Sequence, residues 1–302
     1  MNNRPFLLLI PRKLASGLAA LLAVLILSHS AQAANIYWDG TGTSWNSVGS
    51  WSTSISTTTD PGSVPVSGDN AIFNTNGVNA LQTVNLDANQ SVGGGGGLSF
   101  NLNSTGGVTL QGGGTDRTLA LGTGGIGINA AAGPVTIGSA TAGQSVVLNL
   151  GGDQNWANNG SSLLTINNGV TNSVASKISL TGSGSGGATF NGIISNGSGT
   201  TSLTVNNGSA STVTTLTGAN TYTGATTITK GTVVVSGANG ALGNTATTIS
   251  YGSMLTLDDR GVGAANANRM GTSAVTLNNG TTFKYLGSDQ AATNSTESIG
   301  VI

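Results

Sequence analysis

Cysteine is absent from the 302 residues, and the chain has only five prolines and one histidine, His29. Charged residues make up 6% and aromatic residues 4%, where an ordinary soluble domain carries about 25% charged residues. Without cysteine there is no disulfide, no thiolate nucleophile and no sulfur-ligated metal. The scarcity of charge removes coiled coils, which need Glu and Lys in heptads. It also removes disordered chains, which are charged and poor in β-branched residues. Glycine is abundant, at 49, but shows no three-residue period, so collagen is excluded. The chain is instead rich in Thr (42), Ser (35) and Asn (32). Mixed with Val and Ile, that composition describes an all-β protein.

The N-terminus reads as a targeting segment. Arg4, Arg12 and Lys13 precede an apolar run from Leu14 to Leu27, and Ala31-Gln32-Ala33 supplies small residues at a cleavage site. This pattern predicts a cleaved signal peptide over residues 1–33. The run of 14 residues is short of the roughly 20 that a spanning helix needs, and no later stretch is apolar enough to span a membrane. Cleavage after Ala33 removes His29 and leaves 269 residues with six cations against ten acids, a net charge of −4. The mature chain is then expected outside the cell or at its surface. It has no basic footprint for nucleic acid. Losing His29 also excludes histidine-dependent triads and nitrogen-ligated metal sites. No cofactor and no metal is expected.

Residues 34–97 differ from the rest. They hold Trp38, Trp45 and Trp51, three of the four tryptophans, and Pro61 and Pro65 in a Thr/Ser-rich stretch. From Leu98 to Ile302 short runs such as Leu98–Leu102, Val108–Leu110, Leu119–Leu121, Ile126–Ile128, Val135–Ile137 and Val146–Leu150 are separated by Gly/Asn turns. Their spacing of roughly 8–12 residues is that of an all-β protein, and their alternation puts one face inward. A phrase recurs: Leu164-Thr165-Ile166-Asn167-Asn168-Gly169, Leu203-Thr204-Val205-Asn206-Asn207-Gly208 and Val275-Thr276-Leu277-Asn278-Asn279-Gly280. Asn and Gly tolerate the positive φ of a sharp corner, and imperfect recurrence signals a solenoid. Antiparallel meanders remain possible on the Asn-Gly signals. A parallel β-helix is favoured because stacking protects every edge except those at the two ends, and edge charges are missing. Rungs of ~20–25 residues would give about nine over residues 98–302, with ladders of Thr and Asn.

Residues 215–243 read Thr215-Leu216-Thr217-Gly218-Ala219-Asn220-Thr221-Tyr222-Thr223-Gly224-Ala225-Thr226-Thr227-Ile228, then Gly231-Thr232-Val233-Val234-Val235 and Ala241-Leu242-Gly243. This stretch resembles the autotransporter-associated β-strand repeat. Trp38-Asp39-Gly40, Trp45, Trp51 and Gly68-Asp69-Asn70-Ala71-Ile72-Phe73 also resemble the opening of such proteins. The resemblance implies a right-handed parallel β-helix passenger, exported and displayed or released outside the cell. It supplies no catalytic residues, because the repeat is a scaffold motif. A complete autotransporter would add a C-terminal β-barrel; this sequence reaches Ile299-Gly300-Val301-Ile302 in mid-strand. The expectation is a truncated product or another export route.

Four motifs could carry chemistry. Gly122-Thr123-Gly124-Gly125-Ile126-Gly127 matches a dinucleotide fingerprint, but a strand follows where a helix is required. Gly112-Gly113-Gly114-Thr115-Asp116 resembles a calcium nonapeptide with no second copy, so a plain corner is expected. Asp258-Asp259-Arg260 is the densest charge cluster. Adjacent strand residues face opposite ways, which defeats a shared carboxylate site. A solvated turn with a local ion pair is expected, with a polysaccharide lyase using Arg260 as the alternative. Trp38, Trp45 and Trp51, with Tyr37, form either an apolar plug over the solenoid end, the favoured reading, or a sugar-stacking platform.

The sequence therefore predicts an all-β, right-handed parallel β-helix behind a cleaved signal peptide. The expected role is structural or adhesive, without a catalytic, cofactor or metal site. The alternatives are a carbohydrate-binding adhesin and, more remotely, a polysaccharide-degrading enzyme. The expected partners are extracellular polysaccharide or a second copy joined through the open solenoid end.

Overall fold

The structure, a computed structural model, describes residues 33–73, 80–93, 95, 97–101, 106–243, 245–261, 266, 268–290 and 295–302. Apart from Ala33, the expected signal peptide lies outside the described residues. Residues Ala33–Ile302 form one compact unit.

That unit is a parallel β-solenoid of about eight turns. The first sheet has eleven strands. It begins with Trp51–Ser52, Asn35–Trp38 and Asn70–Phe73, and continues through Leu98–Phe100, Ile126–Ile128, Gln154–Asn158 and Ser176–Thr181. Thr201–Asn206, Thr226–Lys230, Thr247–Ile249 and Val275–Leu277 complete it. The second sheet has nine strands, from Gln82–Asn85 to Thr282–Leu286. The third has four: Gln90–Val92, Arg117–Leu121, Val146–Leu150 and Val170–Asn172. Every strand pairing is parallel except that of Trp51–Ser52 with Tyr37 and Trp38. Among the described residues there is no α-helix, only a 3-10 turn at Val48–Ser50.

The strands are short because each turn must bend, and each strand finds its partners one turn away. Leu98 pairs with Ile126 and Ile126 with Trp156, so a turn there takes 28 and then 30 residues. Leu203 pairs with Thr226 and Thr226 with Thr247, turns of 23 and 21. The early turns carry a third strand, and a late turn without one, from Thr247 to Val275, also takes 28 residues, so about eight turns replace the expected nine. The coil also begins before Leu98: Ala71, Ile72 and Phe73 pair in parallel with Leu98, Ser99 and Phe100.

Alternation sorts the side chains. Inward from the second sheet, Val84, Leu110, Ile137, Ile166, Phe190, Leu216, Val235 and Leu257 stack as one buried column. Outward on the same strands, Thr83, Thr109, Thr136, Thr165, Thr189 and Thr215 form the expected threonine ladder. Asn pairs repeat the theme: Asn129 Nδ2 donates to Asn101 Oδ1 at 2.9 Å and Asn191 Nδ2 to Asn167 Oδ1 at 2.8 Å. Trp156 and Phe190 stack at 5.7 Å, joining the first and second sheets across the core.

The recurring phrase marks a strand and its corner, not a whole turn. Leu164–Ile166 lies in the second sheet, whereas Leu203 to Val205 and Val275–Leu277 lie in the first. Positive φ is needed only at Gly280, at +74°. Gly208 is required for another reason: a Cβ there would sit 2.4 Å from the Gly182 carbonyl one turn away.

Phe190→Ala opens a void against Trp156 and should cost about 3–5 kcal/mol in denaturant unfolding. Thr189→Ala, next to it but facing outward, should cost less than about 1 kcal/mol.

Candidate functional site

The aromatic cluster forms the first candidate. Trp38 meets Trp51 edge-on at 5.1 Å, and Trp51 meets Trp45 at 4.9 Å. Phe73 packs against all three and stacks on Phe100 at 4.9 Å. Trp51 Nε1 donates to the Trp45 carbonyl at 2.8 Å. All three tryptophans are 0% exposed. A hollow of about 110 Å³ reaches Trp38, yet no ring face is open for a sugar to stack on. The cluster plugs the coil where the first sheet begins.

The charge cluster divides as the strand geometry requires. Asp258 faces outward and takes a bidentate ion pair from Arg260, at 2.9 and 2.7 Å. That guanidinium holds the Asp258 carboxyl below the usual range. Asp259 turns the other way and is fully buried. Its partner, missed in the sequence, is Arg269, also 0% exposed, whose Nε donates to Asp259 Oδ1 at 2.6 Å. Arg269 Nη1 and Nη2 donate to the carbonyls of Gly240 and Gly237, both at 2.8 Å. Tyr285 and Ser295 hydroxyls donate to Asp259 Oδ2. Burial pushes the Asp259 carboxyl up, but hydrogen bonds from Ser295, Arg269 and Tyr285 outweigh it and hold the carboxyl below its ordinary value. Glu297 closes the cluster by accepting the backbone N–H groups of Arg269 and Met270, at 3.1 and 3.0 Å. Its desolvation outweighs those bonds and leaves its carboxyl raised. The expected solvated turn therefore holds for Asp258 and Arg260 and fails for Asp259. The sequence signal was a lone Arg with two acids at distant positions, each of which could have been surface charge.

The other motifs are structural. Gly122 to Gly127 runs from a turn into the strand Ile126–Ile128, with no helix to aim at a phosphate. Asp116 Oδ1 accepts the Ser145 N–H of the next turn at 3.2 Å, so the calcium-like stretch is a stapled corner. No group of three or more metal-ligating side chains occurs among the described residues.

A second hollow lies on the third side. There the third sheet ends at Val170–Asn172 and gives way to single bridges, Val170 to Ile194 and Ala219 to Ala241. The hollow holds about 430 Å³ and spans three turns. Asn220, Thr221 and Thr223 line it from one turn, and Ala241 and Gly243 from the next. Asn268, Gly271 and Thr272 complete it. Tyr222, Leu242 and Met270 are fully buried beneath these corners. Tyr222 bonds Thr226 Oγ1 at 2.7 Å, and burial pushes its phenol up. Its side chain therefore faces inward.

Comparison with family models, with curated proteins and with solved structures finds no match to this chain. The site has to be read from its own geometry.

Asp259→Asn leaves the Arg269 guanidinium buried without its carboxylate, and should cost about 3–5 kcal/mol in chemical unfolding. In the wild type the Asp259 contribution is complete above the ordinary carboxylate range and is lost as pH falls through the depressed folded value. Glu297 has the opposite sign: its contribution is present below the ordinary range and lost as pH rises through the raised value. Unfolding midpoints followed into acid should therefore fall less steeply in Asp259→Asn, with Asp258 and Asp289, both held below the ordinary range, supplying the remaining slope.

Proposed function

We propose that this chain is an exported, non-catalytic β-solenoid of the autotransporter-passenger kind, presenting a long stable surface outside the cell. The observation that carries this reading is the match between the repeat-like stretch and the coil. Residues 215–243 take in the end of the strand Val213–Leu216, the buried corner residues Asn220 and Tyr222, and the strand Thr226–Lys230. They continue through Gly231, with φ of +107°, into Thr232–Val235 and the buried Leu242. That is one full turn and part of the next, since Leu216 pairs with Val235 and Ala219 bridges to Ala241, as a scaffold repeat that stacks on itself should.

The charge distribution supports the same reading. Asp259 lies locked beneath Tyr285 and Ser295, bonded to a buried arginine, which argues against a role as general acid on a polymer. Arg260 is committed to Asp258, which argues against a lyase base. The apolar start of the chain and its Ala31-Gln32-Ala33 triplet support export. No helix among the described residues is long and apolar enough to cross a membrane.

Expression of the full chain in a bacterial host should yield protein outside the cytoplasm whose first residue, read by N-terminal sequencing, is Ala34. A variant lacking residues 1–33 should stay inside. Retention of the full chain in the cytoplasm would refute the export reading. Release of reducing ends from neutral or acidic polysaccharides by the purified protein would refute the non-catalytic one.

A further inference from the structure

The hollow on the third side has a composition that selects a ligand class. Among the described residues lining it, none is ionisable and none is aromatic. What it presents are the amide of Asn268, the hydroxyls of Thr221, Thr223 and Thr272, and bare backbone at Gly243 and Gly271, with the buried Asn220 amide behind them. Each amide and hydroxyl offers both donor and acceptor character. We propose that this cleft binds an uncharged oligosaccharide laid across three turns of the coil.

Small residues form part of its lining, and at Gly243 the backbone packs too closely on the preceding turn to admit a side chain. Ala241 and Gly243 sit between Thr221 on one turn and Thr272 on the next. A Cβ on Gly243 would lie 2.9 Å from the Asn220 carbonyl and 3.0 Å from that of Tyr222. The walls are held from behind. Asn220 is 3% exposed, accepts the Ile194 N–H at 2.7 Å and donates to the Ala241 carbonyl at 2.7 Å, tying three turns together. Thr223 Oγ1 accepts Asn196 Nδ2 at 2.8 Å, which leaves its own O–H proton to be donated elsewhere. Asn268 and Gly271 flank Arg269 and Met270, whose backbone N–H groups are gripped by Glu297. Polar groups fixed this way need little ordering when a ligand arrives.

Charge and size narrow the ligand further. An anion or a cation would lose water without meeting an opposite charge. An apolar ligand would strip water from amides and hydroxyls and leave them unpaired. A neutral sugar can exchange hydrogen bonds with both kinds of group. The volume of about 430 Å³ falls within the roughly 300–1,000 Å³ of small-molecule sites. The proposal extends the scaffold reading above and stands whether or not the chain is exported.

The test titrates the purified full chain with neutral hexasaccharides built from glucose, mannose, xylose and N-acetylglucosamine, beside hexagalacturonate as the charged comparator. At least one neutral hexasaccharide should bind, hexagalacturonate should bind at least about tenfold more weakly, and Thr221→Trp should raise the Kd about tenfold or more. Thr165→Trp, on the outward threonine ladder of the second sheet, should leave the Kd unchanged. Thr272→Trp provides a second block from the opposite wall should Thr221→Trp unfold, and the unfolding midpoint of each variant is measured alongside. Absence of binding by every neutral hexasaccharide, binding that survives both blocks, or preference for hexagalacturonate would overturn the proposal. Bound sugar recovered cleaved would overturn the non-catalytic reading and uphold the binding site.

Discussion

The structure depends on hydrogen bonding between turns. A strand such as Ile126–Ile128 is three residues long and has no sequence neighbour to pair with. It is held by Leu98–Phe100 on one side and Gln154–Asn158 on the other, in parallel register. Parallel register places equivalent residues in files, ~4.8 Å apart. A file of like charges at that spacing would cost about 1 kcal/mol per pair even in water. A file of threonines or valines costs nothing of the kind. The low charge content and the Thr/Asn excess are thus two consequences of stacking, and the inward apolar files supply the stability that a chain without cysteine lacks in cross-links.

Where stacking begins, a different solution appears. At the start of the first sheet Trp51–Ser52 runs antiparallel to Asn35–Trp38, and three tryptophans and Phe73 fill the space below. Large rings close an opening that stacked Val and Ile cannot close. In the later turns Asp259, Arg269 and Glu297 join corners of several turns through charge-assisted hydrogen bonds. Such a pair gains little net stability over an apolar filling, but losing one partner is expensive. It therefore fixes the path of the chain more than it strengthens the coil.

The third side shows how a change of local structure makes a surface feature. While Gln90–Val92, Arg117–Leu121, Val146–Leu150 and Val170–Asn172 pair, that side is a sheet with alternating faces. Beyond it, backbone groups of the corners need other partners, and buried asparagines supply them. Asn172 binds the N–H groups of Gly197 and Gly199, and Asn220 joins Ile194 to Ala241. Irregular corners with small residues leave room at the surface, and the hollow beside Asn220 opens where the regular ladder stops.

By itself the sequence determined the strands, their alternation and the coil, because those follow from local periodicity and turn chemistry. Val108 to Leu110, Val135–Ile137 and Thr232–Val235 could be read directly, as could the corner at Lys230-Gly231. It also carried the threonine ladder, since one Thr at the centre of each short run can only face outward when its neighbours face in. Tertiary structure alone decided what meets across turns. The pairing of Asp259 with Arg269, the inward turn of Tyr222, the third strand in the early turns and the hollow beside Asn220 all join residues of different turns. The separation of parallel strand partners on successive turns varies from 19 to 35 residues, so no fixed period tells which distant residues become neighbours.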